Sequence, residues 1–195
     1  MRLFFIKVLY SICSLITTFL LRIKGVSCDG IVYTSGLPHV FKGKDSSINV
    51  GRNIRMLNLS WMNSVGLNHR CIITTEKKAV LNISNNVGMS GATIWCFKHI
   101  DIDNNVRIGA NTLITDGDAH LDDPRAGKPK PVHICENVWL GMNVIVLKGV
   151  TIGRNSLVGA GSVVTKNIPE NVVAAGNPCK VIKQLDEEII KKLEA

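Results

Sequence analysis

The sequence predicts a mainly β solenoid in which short strands stack coil upon coil. Two observations carry this reading. Ile134, Leu140, Val146, Ile152, Val158 and Val164 are all aliphatic and follow one another six apart. A helix repeats its apolar residues about every 3.6 positions and an isolated strand every two, so neither explains the pattern. A fixed longer period belongs to units that bury their apolar face only by stacking on their neighbours. The composition agrees: 17 glycines and only 5% aromatic residues suit tight corners around a thin core. The length of 195 residues is that of one domain.

The elements follow in chain order. Val8 to Leu21 carries no charge and is flanked by Arg2 and Lys7 and by Arg22 and Lys24. It is shorter than the roughly 20 residues that span a bilayer. Lys7, Ser11, Ser14, Thr18 and Arg22 fall on one helical face, with Leu9, Ile12, Ile16, Phe19, Leu20 and Ile23 around the remainder. Residues 1–28 are therefore expected to hold an amphipathic helix. One reading lays it in a membrane interface with its basic groups at the headgroups, as a segment separable from the rest of the chain. A signal peptide is the rival, although Arg22 and Lys24 interrupt the approach to a cleavage site. A helix docked on the protein itself is the third reading.

Residues 29–184 are expected to form the solenoid. Its start is faint, with Ile48 and Ile54 six apart and Gly36-Leu37-Pro38 as a turn. The pattern strengthens at Ile102, Ile108 and Ile114, and then breaks, because the next interval, to Ile134, is not a multiple of six. A segment must loop out there, and it contains Asp116, Asp118, His120 and Arg125. Residues 185–195 read as a short helix with Leu185, Ile189 and Leu193 on one side, expected to cover the last coil, since an open β edge needs a cap.

The net charge is +8, with Lys166, Lys180, Lys183, Lys191 and Lys192 near one end of the chain. The basic residues are not interleaved with aromatics and no nucleic-acid motif is visible, so the excess fits a solvated surface or a phosphate-bearing ligand. Six cysteines without a CxxC pair read as free thiols in a reducing compartment.

Several motifs together resemble one family. They are Asn137-Val138-Trp139-Leu140-Gly141, Gly149-Val150-Thr151-Ile152-Gly153, Val158-Gly159-Ala160-Gly161-Ser162-Val163-Val164-Thr165-Lys166 and Ala175-Gly176-Asn177-Pro178. They look like the hexapeptide-repeat O-acetyltransferases, which include the maltose and galactoside acetyltransferases, and the run Val87-Gly88-Met89-Ser90-Gly91-Ala92-Thr93-Ile94 with Thr115-Asp116-Gly117-Asp118-Ala119-His120 looks most like the capsule and exopolysaccharide subgroup. The resemblance runs from Ile83 to Ile182. It implies a left-handed parallel β-helix, triangular in section, and a homotrimer with sites between neighbours. It also implies acetyl-CoA as co-substrate, a sugar or surface-polysaccharide acceptor and no metal. The location it implies is cytoplasmic, at the inner face of the membrane.

The resemblance also assigns residues. A sugar hydroxyl is a poor nucleophile at neutral pH, so a general base must take its proton, and histidine titrates in the useful range. His120 matches the family's base, with Asp118 or Asp116 to hold its tautomer. Met142, Ala160, Thr165, Lys166, Lys180 and Lys183 match positions on the coenzyme side, Trp139 matches a residue that stands against the pantetheine or the acceptor, and Ser90 falls on the acceptor side; Arg125, in the same loop as His120, is expected to contact the acceptor. Lys180 and Lys183 stand where some relatives carry arginine, which keeps the charge but loses the bidentate fork. The alternatives are a serine O-acetyltransferase, a zinc hydratase on the same solenoid using His120 and His133, and a non-enzymatic scaffold.

Overall fold

The computed structural model describes residues 2–120 and 122–194, with side chains from residue 6 onward. The chain winds into a parallel β-helix with three faces, whose sheets contain six, eight and six strands. The first face runs from Ser27–Cys28 through Ser47–Val50, Val80–Ile83, His99–Ile102 and Val132–Ile134 to Thr151–Ile152. The second runs from Tyr33–Ser35 through Arg55–Leu57, Gly88–Ser90, Arg107–Ile108, Trp139–Leu140 and Leu157–Val158 to Val172–Ala175, and Lys180–Gln184 folds back antiparallel on its edge. The third runs from His39–Lys42 to Val163–Val164.

The period of six is one face of one coil. Ile134 pairs with Ile152, Leu140 with Val158 and Val146 with Val164, each pair one full turn apart. Side chains alternate along a strand, so aliphatics two apart, such as Val138 and Leu140 or Val150 and Ile152, both point inward. Ile48, Leu81, Ile100, Ile114, Leu140 and Val158 are at most 2% exposed. At one corner, Asn53, Asn86, Asn105, Asn137, Asn155 and Asn171 take φ values between 58 and 61°, a left-handed turn that asparagine tolerates better than most residues. Their amides bond from coil to coil, as Asn137 donates to Asn155 at 3.0 Å and Asn155 to Asn171 at 2.8 Å.

The early coils are irregular for a specific reason. Ladder partners are 18 residues apart at Asn137 and Asn155, 19 apart at Asn82 and Asp101, and 33 apart at Asn49 and Asn82. The longest step holds a second excursion, residues 58–71, with a short 3-10 turn at Ser60–Met62. Asn58 closes its base by donating to Thr34 Oγ1 at 2.6 Å and accepting the Cys71 N–H at 2.7 Å.

Helix α1, Arg2–Ile23, is docked on the first coil with the middle of its polar stripe inward, while Lys7, Ser11 and Arg22 stay exposed. Ser14, Thr17 and Thr18 are buried, whereas Ile12, Leu15, Phe19 and Ile23 are 50–66% exposed. The first rung has no coil before it, so the amides on its outer side, those of Val32 and Thr34, lack strand partners. The Thr18 hydroxyl accepts the Val32 N–H and the Ser14 hydroxyl the Thr34 N–H, both at 2.9 Å. Arg22 and Lys24 donate to the carbonyls of Cys28 and Val40. The two hydroxyls thus cap an open sheet edge, and α1 packs on the first coil.

The other expected cap lies elsewhere. Helix α2, Glu187–Glu194, buries no residue and does not close the last coil. Its end lies along the asparagine corner, where Asn137 donates to the Leu193 carbonyl at 3.0 Å and Arg154 pairs with Glu194.

Candidate active site

The looped-out segment leaves the corner between the third and first faces, after Leu113–Thr115 and before Val132–Ile134. Asp116, at its root, is fully buried. Its two oxygens accept the N–H groups of Phe97 at 2.5 Å, Lys98 at 2.8 Å and His99 at 2.6 Å. Those bonds pin the preceding coil's corner and engage both oxygens of Asp116, so within the chain this carboxylate anchors backbone rather than an imidazole. Asp118 pairs with Lys148, one coil further on, and accepts the Gly127 N–H at 3.1 Å. The Lys148 ammonium holds the Asp118 carboxyl below its ordinary range. Lys148 also donates to the Gly127 carbonyl at 3.2 Å, so Asp118 and Lys148 together clasp the loop. The sequence reading missed Lys148, because only the coil register brings it under the loop.

His120 lies just beyond this clasp. It is exposed, and no side-chain hydrogen bond reaches it among the described residues. The expected tautomer-holding contact from Asp116 or Asp118 is therefore not made within the chain. Arg125 forms a two-point pair with Asp123, through Nε at 2.9 Å and Nη2 at 2.7 Å, at the outer rim of the loop. Thr165 and Lys166 leave the third face at the same corner and are exposed.

The remaining candidates lie elsewhere on the prism. Trp139 stands on the second face, half exposed. Ser90 ends a strand two rungs before it on the same face. Met142 and Ala160 occupy successive turns of the corner between the second and third faces, joined by the Gly161 N–H bond to the Met142 carbonyl at 2.8 Å. Coils approach tightly there: a Cβ on Gly109 or Gly141 would meet the next coil's backbone at 2.4 and 2.6 Å. Lys180 and Lys183 lie on the terminal antiparallel strand of the second face.

The candidates thus divide between two corners. One carries His120, Asp118, Arg125, Thr165 and Lys166; the other, with the second face, carries Ser90, Trp139, Met142, Ala160, Lys180 and Lys183. One chain does not bring the two groups together. A different cluster joins Asp103, His133 and Cys135 on the first face, with His133 Nε2 at 2.9 Å from Asp103. His133 is not beside His120 in a histidine set. Among the described residues no three-histidine cluster forms.

Residues 131–166 match the bacterial transferase hexapeptide family model, six repeats. The chain carries a hexapeptide-repeat transferase segment. A galactoside O-acetyltransferase of Lactococcus lactis is 48% identical to it over 97 residues, covering 47% of this chain and 46% of that protein. The chain spans about half the length of the curated relatives it matches. Among solved structures, a maltose O-acetyltransferase of Clostridium difficile has a TM-score of 0.50 and 28% identity, covering 87% of this chain and 75% of that one. The N-acyltransferase AntD of Bacillus cereus, solved with coenzyme A and dTDP-4-amino-4,6-dideoxyglucose, has a TM-score of 0.64 and 16% identity, over 91% and 94% of the two chains. The hexapeptide-repeat segment and these neighbours fit a left-handed β-helix. The matched residues hold Trp139, Met142, Ala160, Thr165 and Lys166, while His120 lies just before them.

Proposed function

We propose that the chain is an acetyl-CoA-dependent O-acetyltransferase whose acceptor is a hydroxyl of a sugar or surface-polysaccharide intermediate. The observation that carries this reading is the split between the two corners. His120 stands free on one edge of the prism, while Trp139, Met142 and Ala160 line another. A cyclic homotrimer would set the His120 corner of one subunit against the Trp139 corner of the next, and such heterologous contacts close into rings. The galactoside O-acetyltransferase and the coenzyme A complex of AntD, named among its relatives, support the donor.

In this site the acceptor oxygen attacks the thioester carbonyl as His120 takes its proton. Collapse of the tetrahedral intermediate breaks the carbon–sulfur bond, and the imidazolium returns the proton to the thiolate. The Asp118–Lys148 clasp positions the loop that bears His120. Lys166, Lys180 and Lys183 offer charge to the donor's phosphates.

The same reading places the protein against the cytoplasmic face of a membrane. Helix α1 is long and apolar enough to cross one by length and composition, yet its hydroxyl stripe is committed to the first coil. The outward row of Leu15, Phe19 and Ile23 then suits a helix lying flat at the acyl boundary. The test is transfer of labelled acetyl from acetyl-CoA to a panel of sugars. His120→Ala should fold normally and lose transfer by about 10² or more, and near-normal turnover would overturn the assignment.

A further inference from the structure

A groove of about 330 Å³ runs along the second face between helix α1 and Trp139. Its floor is a column of outward positions on successive rungs: Arg55, Gly88, Arg107 and Trp139, held in register by the ladder. Adjacent rungs are about 4.8 Å apart, so the two arginines stand roughly 10 Å from each other with a glycine between. A Cβ on Gly88 would meet nothing within 4 Å, so the column is hollow at that point. Tyr10 of α1 and Ser90 complete the walls.

Both arginines are exposed, and neither takes part in an ion pair among the described residues. Two guanidiniums on either side of a hollow, beside an exposed indole, form a receptor for a phosphate joined to a ring. Guanidinium binds phosphate through paired N–H donors, and a sugar or base packs on the indole face. We propose that this groove binds the phosphate of a phosphorylated sugar acceptor through Arg55 and Arg107, with its ring against Trp139. This names the acceptor class within the acetyl-transfer reading on which it rests. The donor also carries phosphates, but the basic residues matched to it, Lys166, Lys180 and Lys183, lie on the last coils. Arg55 and Arg107 belong to earlier ones. The groove therefore takes the acceptor's phosphate.

Calorimetric titration of the full chain tests this with glucose 1-phosphate, UDP-glucose, unphosphorylated glucose and coenzyme A as probes. The variants are Arg55→Gln, Arg107→Gln and Gly88→Val, each checked for an unchanged melting curve. The expected result is that a phosphorylated sugar binds measurably more tightly than glucose and weakens with added salt. Each arginine variant and the filled hollow should raise its dissociation constant about tenfold or more, the scale of a lost charge-assisted bond. Coenzyme A affinity should be the same in all three. Phosphorylated sugars binding no better than glucose, or binding equally to the variants, would overturn the proposal. Loss of coenzyme A affinity in the arginine variants would assign the groove to the donor instead, and also overturn it. Absence of acetyl transfer by the unmodified chain would remove the catalytic reading, while the titration still reads the groove.

Discussion

Replacing the two hydroxyls that cap the first coil tests why α1 faces the way it does. Ser14→Ala removes the acceptor of the Thr34 N–H, and Thr18→Val, nearly isosteric, removes that of the Val32 N–H. Val32 and Thr34 are fully buried, so water does not replace the lost oxygens. A buried donor left unpaired costs about 1–3 kcal/mol. For a protein of this size each kcal/mol moves Tm by about 2–4 °C, so each variant should melt roughly 2–12 °C lower. Thr18 also donates to the Ser14 carbonyl at 2.8 Å, so the two losses need not add. Leu15→Ser, on the outward row, should stay within about 0.5 kcal/mol. Melting followed by circular dichroism measures all three, and hydrogen exchange at Val32 and Thr34 shows whether the first rung opens first. Equal Tm values for the parent and both hydroxyl variants would refute the capping argument.

Three further outcomes follow from the site. Asp116→Asn should cost about 2–4 kcal/mol in a denaturation curve, since an amide accepts fewer of the three N–H bonds, and its turnover per folded molecule should fall far less than that of His120→Ala. Asp118 titrates below its ordinary value when folded, because of Lys148, so the clasp is intact above about pH 4. It is lost as pH falls through the lowered folded value. Proteolysis of residues 118–130 should therefore rise in acid, and Lys148→Met should show that sensitivity already at neutral pH. Lys166→Ala and Lys180→Ala should raise KM for acetyl-CoA far more than KM for the acceptor, with an effect that shrinks as salt rises.

The later coils were legible because the chain keeps an unbroken interval of six from Ile134 to Val164, and the loop bearing His120 announced itself by breaking that interval. The earlier coils were not, because the 33-residue step between Asn49 and Asn82 hides their period inside an excursion. The stripe through Ser14 and Thr18 is visible on α1, but periodicity says which residues share a face and not which face docks. Hydroxyls turned inward make sense only once Val32 and Thr34 are seen as the open edge. The partners of Asp116 are hidden for a similar reason: Phe97 to His99 come from the previous coil. Arg55 and Arg107 carry no motif and become neighbours only through the ladder partners of Gly88.

In the proposed trimer, catalysis needs the His120 corner of one subunit and the Trp139 corner of another. Complementation measures this directly. His120→Ala and Trp139→Ala subunits, each deficient alone, are co-expressed in equal amounts and assayed for acetyl transfer. In randomly mixed cyclic trimers about one quarter of the interfaces join an intact His120 to an intact Trp139, so activity should return to about a quarter of the unmodified level. Mixed assemblies no more active than the separate variants would contradict the account and place the whole site within one chain.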